Sequence, residues 1–153
     1  MKVQEYLEQL LAHMGLSGCS VEISEDDESI TAKILVSEED SGMMIGKHGE
    51  TISSIQRLCS LTLNEKHDGK KIIVNVNDYL EKRKETLLTM AKRAADRAIE
   101  TGRPVTLTRL KPSERRIVHM SLQENSEVVT QSEGEGMQRV LVVSPAPQKH
   151  DEE

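Results

Sequence analysis

Phenylalanine and tryptophan are absent from this chain, and tyrosine occurs twice, as Tyr6 and Tyr79. Any core must therefore be built from aliphatic side chains and methionine, and a sheet that reads RNA by stacking bases on aromatic rings is excluded. Cysteine is as scarce: Cys19 and Cys59 stand apart, with no Cys-x-x-Cys and no Cys/His cluster. A disulfide framework and a zinc site thus lack support, and both thiols are expected to be reduced core residues. No apolar run is long enough to span a bilayer, and the opening MKVQEYLEQLLAHMG is interrupted by Glu5 and Glu8, so no secretory hydrophobic region exists. No membrane insertion is expected, and the cytoplasm is the default compartment.

Charge is what the chain has in quantity. The formal net charge of -6 argues on average against a nucleic-acid partner, yet it is unevenly placed. Residues 1–65 carry 4 basic and 12 acidic side chains, a net of -8; residues 66–116 carry 14 and 7, a net of +7; residues 117–153 carry 2 and 7, a net of -5. A basic middle between acidic ends fits an anion-binding surface on a mildly acidic protein. It fits equally the solvated face of a long amphipathic helix.

Periodicity divides the chain into short elements. Val3, Tyr6, Leu7, Leu10, Leu11 and Met14 recur at helical spacing before Gly15, which predicts an opening helix. Val21 and Ile23, then Ile30, Ala32, Ile34 and Val36, alternate on either side of the acidic turn SEDDES and predict a hairpin with one buried face. Met43, Met44 and Ile45 lead into a glycine loop, and Ile52, Ile55, Leu58, Cys59 and Thr62 follow it at helical spacing. After the polar turn NEKHDGK, Lys71 to Asn77 alternates as a strand. Asp78 suits the N-cap of a long helix with an apolar face of Leu80, Leu87, Ala91, Ala94 or Ala95, and Ala98 or Ile99, ended by Gly102 and Pro104. A short strand at Val105 and Leu107, a helix over Pro112–Gln123 and two strands joined by SEGEGM complete the order. Two small α+β units sharing or flanking a long helix account for this order better than one continuous sheet.

The stretch MIGKHGETISSIQ, Met44 to Gln56, carries the sharpest local signal. A mononucleotide phosphate loop needs four residues between its first glycine and the Gly-Lys-Ser/Thr; here Gly42 and Gly46 are separated by three residues and His48 follows Lys47. The dinucleotide pattern fails too, since there is neither a third glycine nor a preceding strand. What remains is Ile-Gly-x-x-Gly-x-x-Ile, Ile45 to Ile52. Two glycines clear side chains from where a sugar-phosphate backbone must approach, and the following helix presents the positive end of its dipole. Lys47 adds a mobile charge, and Ile45 and Ile52 are expected to line a groove for unstacked bases. This pattern resembles the KH domain, whose GxxG loop clamps the backbone of about four nucleotides. Because a helix and a hairpin precede the loop, the order is similar to the bacterial, type II arrangement.

Downstream, Ser113 to Leu122 reads SERRIVHMSL. Arg115 and His119 are four apart, so they share one helix face, with Ile117, Val118, Ser121 and Leu122 on the opposite, buried side. An arginine offers a planar fork of donors for phosphate and a histidine one turn away adds another; Arg116 extends this basic edge or snorkels over the core. The same spacing also suits a structural pair, His119 bonding a strand backbone and Arg115 meeting Glu133 or Glu135. The segment, followed by VVTQSEGEGMQRVLVVSP, resembles the domain named for its Arg-x-x-x-His motif and associated with single-stranded nucleic acid. A KH domain followed by such a domain resembles the bacterial Jag family, over nearly the whole chain up to Pro145. The likeness is most specific in Asp78-Tyr79, EKRKETL, Glu114-Arg115-Arg116, His119 and Ser132-Glu133-Gly134-Glu135.

The resemblance implies an α+β chain, with a type II-like KH domain over residues 1–77 joined by a long helix to a small α/β Arg-x-x-x-His domain over 78–145, and a disordered tail at 146–153. It implies a non-enzymatic, cytoplasmic, single-stranded RNA-binding protein in a family linked to post-transcriptional regulation and to cell elongation and division, with single-stranded DNA not distinguished from RNA. The expected contacts are Ile45, Gly46, Lys47, His48, Gly49 and Ile52 in the loop and Arg115, Arg116 and His119 in the helix, with Lys82, Arg83, Lys84, Lys92, Arg93 and Arg97 bridging them. No metal, cofactor or catalytic residue is expected. Two positions depart from the family pattern: His48 stands where arginine is frequent, and Ser113 where an aromatic is frequent. A further N-terminal domain found in many members is expected to be missing here. The alternative reading is a protein-interaction adaptor using the KH fold to form a homodimer or to bind another small KH protein. An enzyme fares worst, because no carboxylate cluster, activated nucleophile or complete phosphate motif is present.

Overall fold

A computed structural model describes residues 2–63 and 69–147 and divides the chain into two compact units, Met1–Leu80 and Glu81–Glu153. Most of the NEKHDGK turn and the end of the tail lie outside the described residues.

The first unit runs α1 (Val3–His13), β1 (Ser20–Glu25), β2 (Ser29–Leu35), α2 (Glu38–Ile45), α3 (Glu50–Leu63) and β3 (Lys71–Val76). Strand order is β1-β2-β3, with β1 antiparallel and β3 parallel to the central β2. Parallel pairing requires a crossover connection, and α2, the glycine loop and α3 supply it. Strict alternation buries Ile30, Ala32 and Ile34 on β2, which meet Ile72, Val74 and Val76 of β3 and the helix stripes Val3-Leu7-Leu11 and Ile52-Ile55-Cys59-Leu63. The hairpin turn is tied by Asp26, whose carboxylate accepts from the N–H groups of Glu28 and Ser29 at 2.8 and 2.7 Å; these bonds hold its carboxyl below the usual range.

Three sequence expectations change here. Ile23 is 37% exposed, and β1 buries only Val21. On α3, Leu58 and Thr62 face outward and Leu63 takes the buried position. Asn75 is buried, and its Oδ1 accepts the N–H of Leu80 at 3.1 Å, satisfying a first-turn donor of the following helix. Cys59 is fully buried and burial pushes its thiol up to about 11, so it is an inert core group; both cysteines are free.

The long helix α4 (Tyr79–Thr101) begins at the end of the first unit and gives most of its length to the second, which continues with β4 (Val105–Leu107), α5 (Pro112–Leu122), β5 (Val128–Glu133) and β6 (Val140–Pro145). The sheet is antiparallel in the order β4-β6-β5. The α4 stripe is Leu87, Ala91, Ala94, Ala95 and Ala98, packed with Leu110, Val118, Leu122, Val128, Leu141 and Val143. Alanines let the helix backbone approach closely, which compensates for the missing aromatic volume. Leu80, expected on the apolar face, is 38% exposed, and of the alternatives Ala98 and Ile99 it is Ala98 that is buried.

Candidate nucleic-acid interface

The loop between α2 and α3 is built so that only glycine fits at its two ends. Gly46 closes α2, its N–H bonded to Gly42 O at 2.9 Å, and then turns to φ 72°, ψ -178°, a region closed to side chains. A Cβ there would also lie 2.8 Å from the backbone nitrogen of Thr51. Gly49, at φ 75°, is buried against Tyr79, and a Cβ would come within 2.9 Å of its ring. Between them Lys47 and His48 form a tight 3-10 turn with His48 itself left-handed at φ 53°. The result is a short platform whose ends are pinned and whose two middle side chains are exposed.

Lys47 and His48 have no hydrogen-bond or ion-pair partner among the described residues. Ile45 is half-buried beside them. Ile52 is 3% exposed and belongs to the core, so it anchors the loop from beneath and does not line an open groove.

Helix α5 is set by a buried carboxylate. Glu114, 7% exposed, accepts from Arg83 Nε at 2.8 Å and Nη2 at 3.4 Å and from the backbone N–H of Lys111 at 3.0 Å. Burial pushes this carboxyl up, but the Arg83 and Lys111 hydrogen bonds and charges outweigh that and hold it below the usual range. Arg83 is therefore committed to α5, and it does not join the basic bridging face. The α5 stripe facing the core is Glu114, Val118 and Leu122, with Ile117 half-buried; Ser121 is exposed, contrary to expectation.

On the outer side, Arg115 Nη1 donates to Leu110 O at 2.7 Å and, weakly, to Arg139 O at 3.5 Å. It does not meet Glu133 or Glu135. Its Nε and Nη2 have no partner among the described residues, so the guanidinium is oriented by one nitrogen and keeps its other donors. His119 Nδ1 is hydrogen-bonded to Thr130 Oγ1 on β5, a side-chain contact where a strand backbone was expected. When the threonine hydroxyl donates, Nε2 carries the ring proton and can donate to an anion. Arg116 is exposed and unpartnered among the described residues. Arg115, half-buried, and the exposed Arg116 and His119 thus occupy one edge of α5, one turn long.

These two pieces correspond to two known domain families. Residues 2–76 match the KhpA/KhpB KH domain and residues 85–145 match the R-three-H domain, the domain of the Arg-x-x-x-His motif. The chain belongs to the Jag family. It is 38% identical over 145 residues to the RNA-binding protein KhpB of Clostridium symbiosum, an alignment covering 94% of this chain and 64% of the relative. It is 33% identical over 127 residues to KhpB of Bacillus subtilis, covering 80% and 61%. It is 32% identical over 145 residues to KhpB of Lactiplantibacillus plantarum, covering 93% and 44%. The chain therefore spans between about two fifths and two thirds of the length of these Jag-family relatives.

Within this family frame, pattern reading missed the residues that hold the site. Thr51 and Tyr79, which make the loop positions glycine-only, lie five and thirty residues from the glycines they contact. Thr130 behind His119 gives no local signal. Glu114 did: an acidic residue at the third position of a helix reaches back to the N-terminal N–H groups. Among the described residues no helix is long and apolar enough to cross a membrane, and no group of His, Cys, Asp and Glu is arranged to hold a metal.

Proposed function

We propose that this chain is a single-stranded RNA-binding protein acting without catalysis, with the KH domain over residues 1–77 and the Arg-x-x-x-His domain over 78–145 each contributing a contact. The observation that carries the reading is the loop Gly46–Gly49. Glycine-only backbone at both ends removes the side chains that would keep a phosphate chain away, and Lys47 and His48 are left exposed to meet it. On the second domain Arg115, Arg116 and His119 add donors suited to phosphate. Without aromatic platforms, affinity rests on backbone charge and sequence preference is weak. The names of the curated relatives support RNA over DNA. A cytoplasmic place and a role in post-transcriptional regulation of elongation and division follow from the family resemblance.

The test is the double variant Lys47→Asp/His48→Asp, measured by fluorescence anisotropy on a panel of labelled single-stranded RNAs. Both positions are exposed, so the fold is kept, and binding should be lost. Parent-like binding by the folded variant would refute the loop assignment.

A second reading has one observation in its favour. Leu58 and Leu61, three apart on α3, are 45% and 74% exposed, and Met43 on α2 is 52% exposed. Such residues suit a homodimer face or a surface for another small KH protein. Light scattering with and without RNA discriminates: an assembly indifferent to RNA and salt favours this adaptor role.

A further inference from the structure

We propose that the second unit holds an additional seat for single-stranded nucleic acid, away from the Arg-x-x-x-His edge, in the groove between α4 and the short strand β4. The inference rests on the RNA-binding reading above and assigns that ligand a further site. The groove is open, with a volume of about 630 Å³, within the roughly 300–1,000 Å³ typical of ligand sites. Its floor is apolar, formed by Met90, Val105 and Leu107, and its rim is cationic, formed by Lys82, Arg93 and Arg97. Glu85 is the acidic residue among its lining, so the rim is net positive. None of the three cationic side chains has a hydrogen-bond or ion-pair partner among the described residues.

The chemistry favours a nucleotide strand over other occupants. Arg93 and Arg97 are one helical turn apart, about 6 Å along the axis, so two planar forks are presented in series to successive phosphates. Beside them, an unstacked base has an aliphatic and thioether floor. Methionine is adaptable and polarizable, so Met90 can accept any base face, which fits a sequence-tolerant site. An extended peptide adding to β4 is disfavoured. That strand is three residues long and already paired with β6 on one side, leaving too short a free edge for a useful ladder of main-chain hydrogen bonds. An acidic peptide would satisfy the rim but has no use for the apolar floor.

The test compares the full chain with Arg93→Ala/Arg97→Ala and with Thr89→Glu, using a labelled single-stranded RNA of about twelve nucleotides across a salt series. Thr89, Arg93 and Arg97 are exposed on α4, and alanine and glutamate are good helix formers, so folding is preserved. Each lost phosphate contact removes about 0.7 from the slope of log affinity against log salt for a single strand. The double variant should therefore lose about 1.4 of slope, and Thr89→Glu should weaken binding severalfold. Parent-like affinity and slope in both groove variants, with binding still lost in the Lys47/His48 variant, would overturn the groove and leave the RNA reading standing. Failure of the parent to bind any single-stranded RNA would remove both. An acidic peptide that binds the parent and is lost with the groove variants, while RNA binding is not, would assign the groove to a protein partner and overturn the proposal.

Discussion

At the scale of single residues, the loop gains or loses strength through one position. His48 stands where an arginine would offer a permanent charge and a planar fork of five donors, whereas an imidazole ring offers at most two N–H donors. His48→Arg should tighten RNA binding and steepen the salt slope by about 0.7, the contribution of one further single-strand phosphate contact. Anisotropy titrations at three salt concentrations would read this, and an unchanged slope would remove the position from the contact. Glu114 acts on stability. Removing one partner of a buried ion pair leaves the other charge uncompensated, and because Arg83 keeps some exposure Glu114→Gln should cost about 3 kcal/mol, the lower end of the range. The sign with pH follows from the direction of its shift. A carboxyl held below its unfolded value stabilises the fold above the unfolded pKa, near 4.3 for glutamate, and that contribution is lost as pH falls through the folded value. Urea unfolding of parent and variant should therefore differ most at neutral pH and converge in acid.

Elements carry the geometry that residues use. The turn from α2 into α3 depends on a backbone conformation at Gly46 that is open only to glycine, in contact with the first turn of α3. Gly46→Ala should destabilise the first unit by about 2 kcal/mol or more, from strain and from the clash with Thr51, and should weaken RNA binding even where the chain stays folded. Thermal unfolding followed by circular dichroism, with binding measured well below the transition, separates the two effects. Wild-type stability would mean that the turn relaxes freely and does not preset the clamp. Element existence was legible in the sequence because apolar spacing switches cleanly between periods: every predicted helix and strand outside the undescribed residues is present. Exposure within elements was less legible. Ile23 alternates correctly yet is left 37% exposed, and Leu80 falls at near-helical spacing yet sits beside the stripe that packs. Such choices depend on which neighbour covers which face, and periodicity alone does not contain that information.

For the whole molecule, an acidic chain with net charge -6 is read as binding a polyanion, so the interaction must come from local cation groups against an unfavourable overall field. If Lys47, Arg93, Arg97, Arg115 and Arg116 each meet one phosphate, the slope of log affinity against log salt should be about -3.5. Raising salt from about 50 to about 200 mM should then weaken binding by about a hundredfold. A slope near zero would point to the adaptor reading instead. The sequence by itself determined the order of elements, the two glycines that define the loop, the Arg115/His119 spacing and the family, because these are written in neighbouring residues and local periods. Only the tertiary structure decided which cations are free. Arg83, in a basic helical run, is taken by Glu114 thirty-one residues away, and Ile52, in the loop motif, is taken by the core. Thr130 behind His119 and Tyr79 over Gly49 likewise come from distant parts of the chain. Pairing across such separations is settled by packing, where burying a charge requires a partner and burying an aliphatic side chain favours the core, so local sequence names the candidates and the fold selects among them.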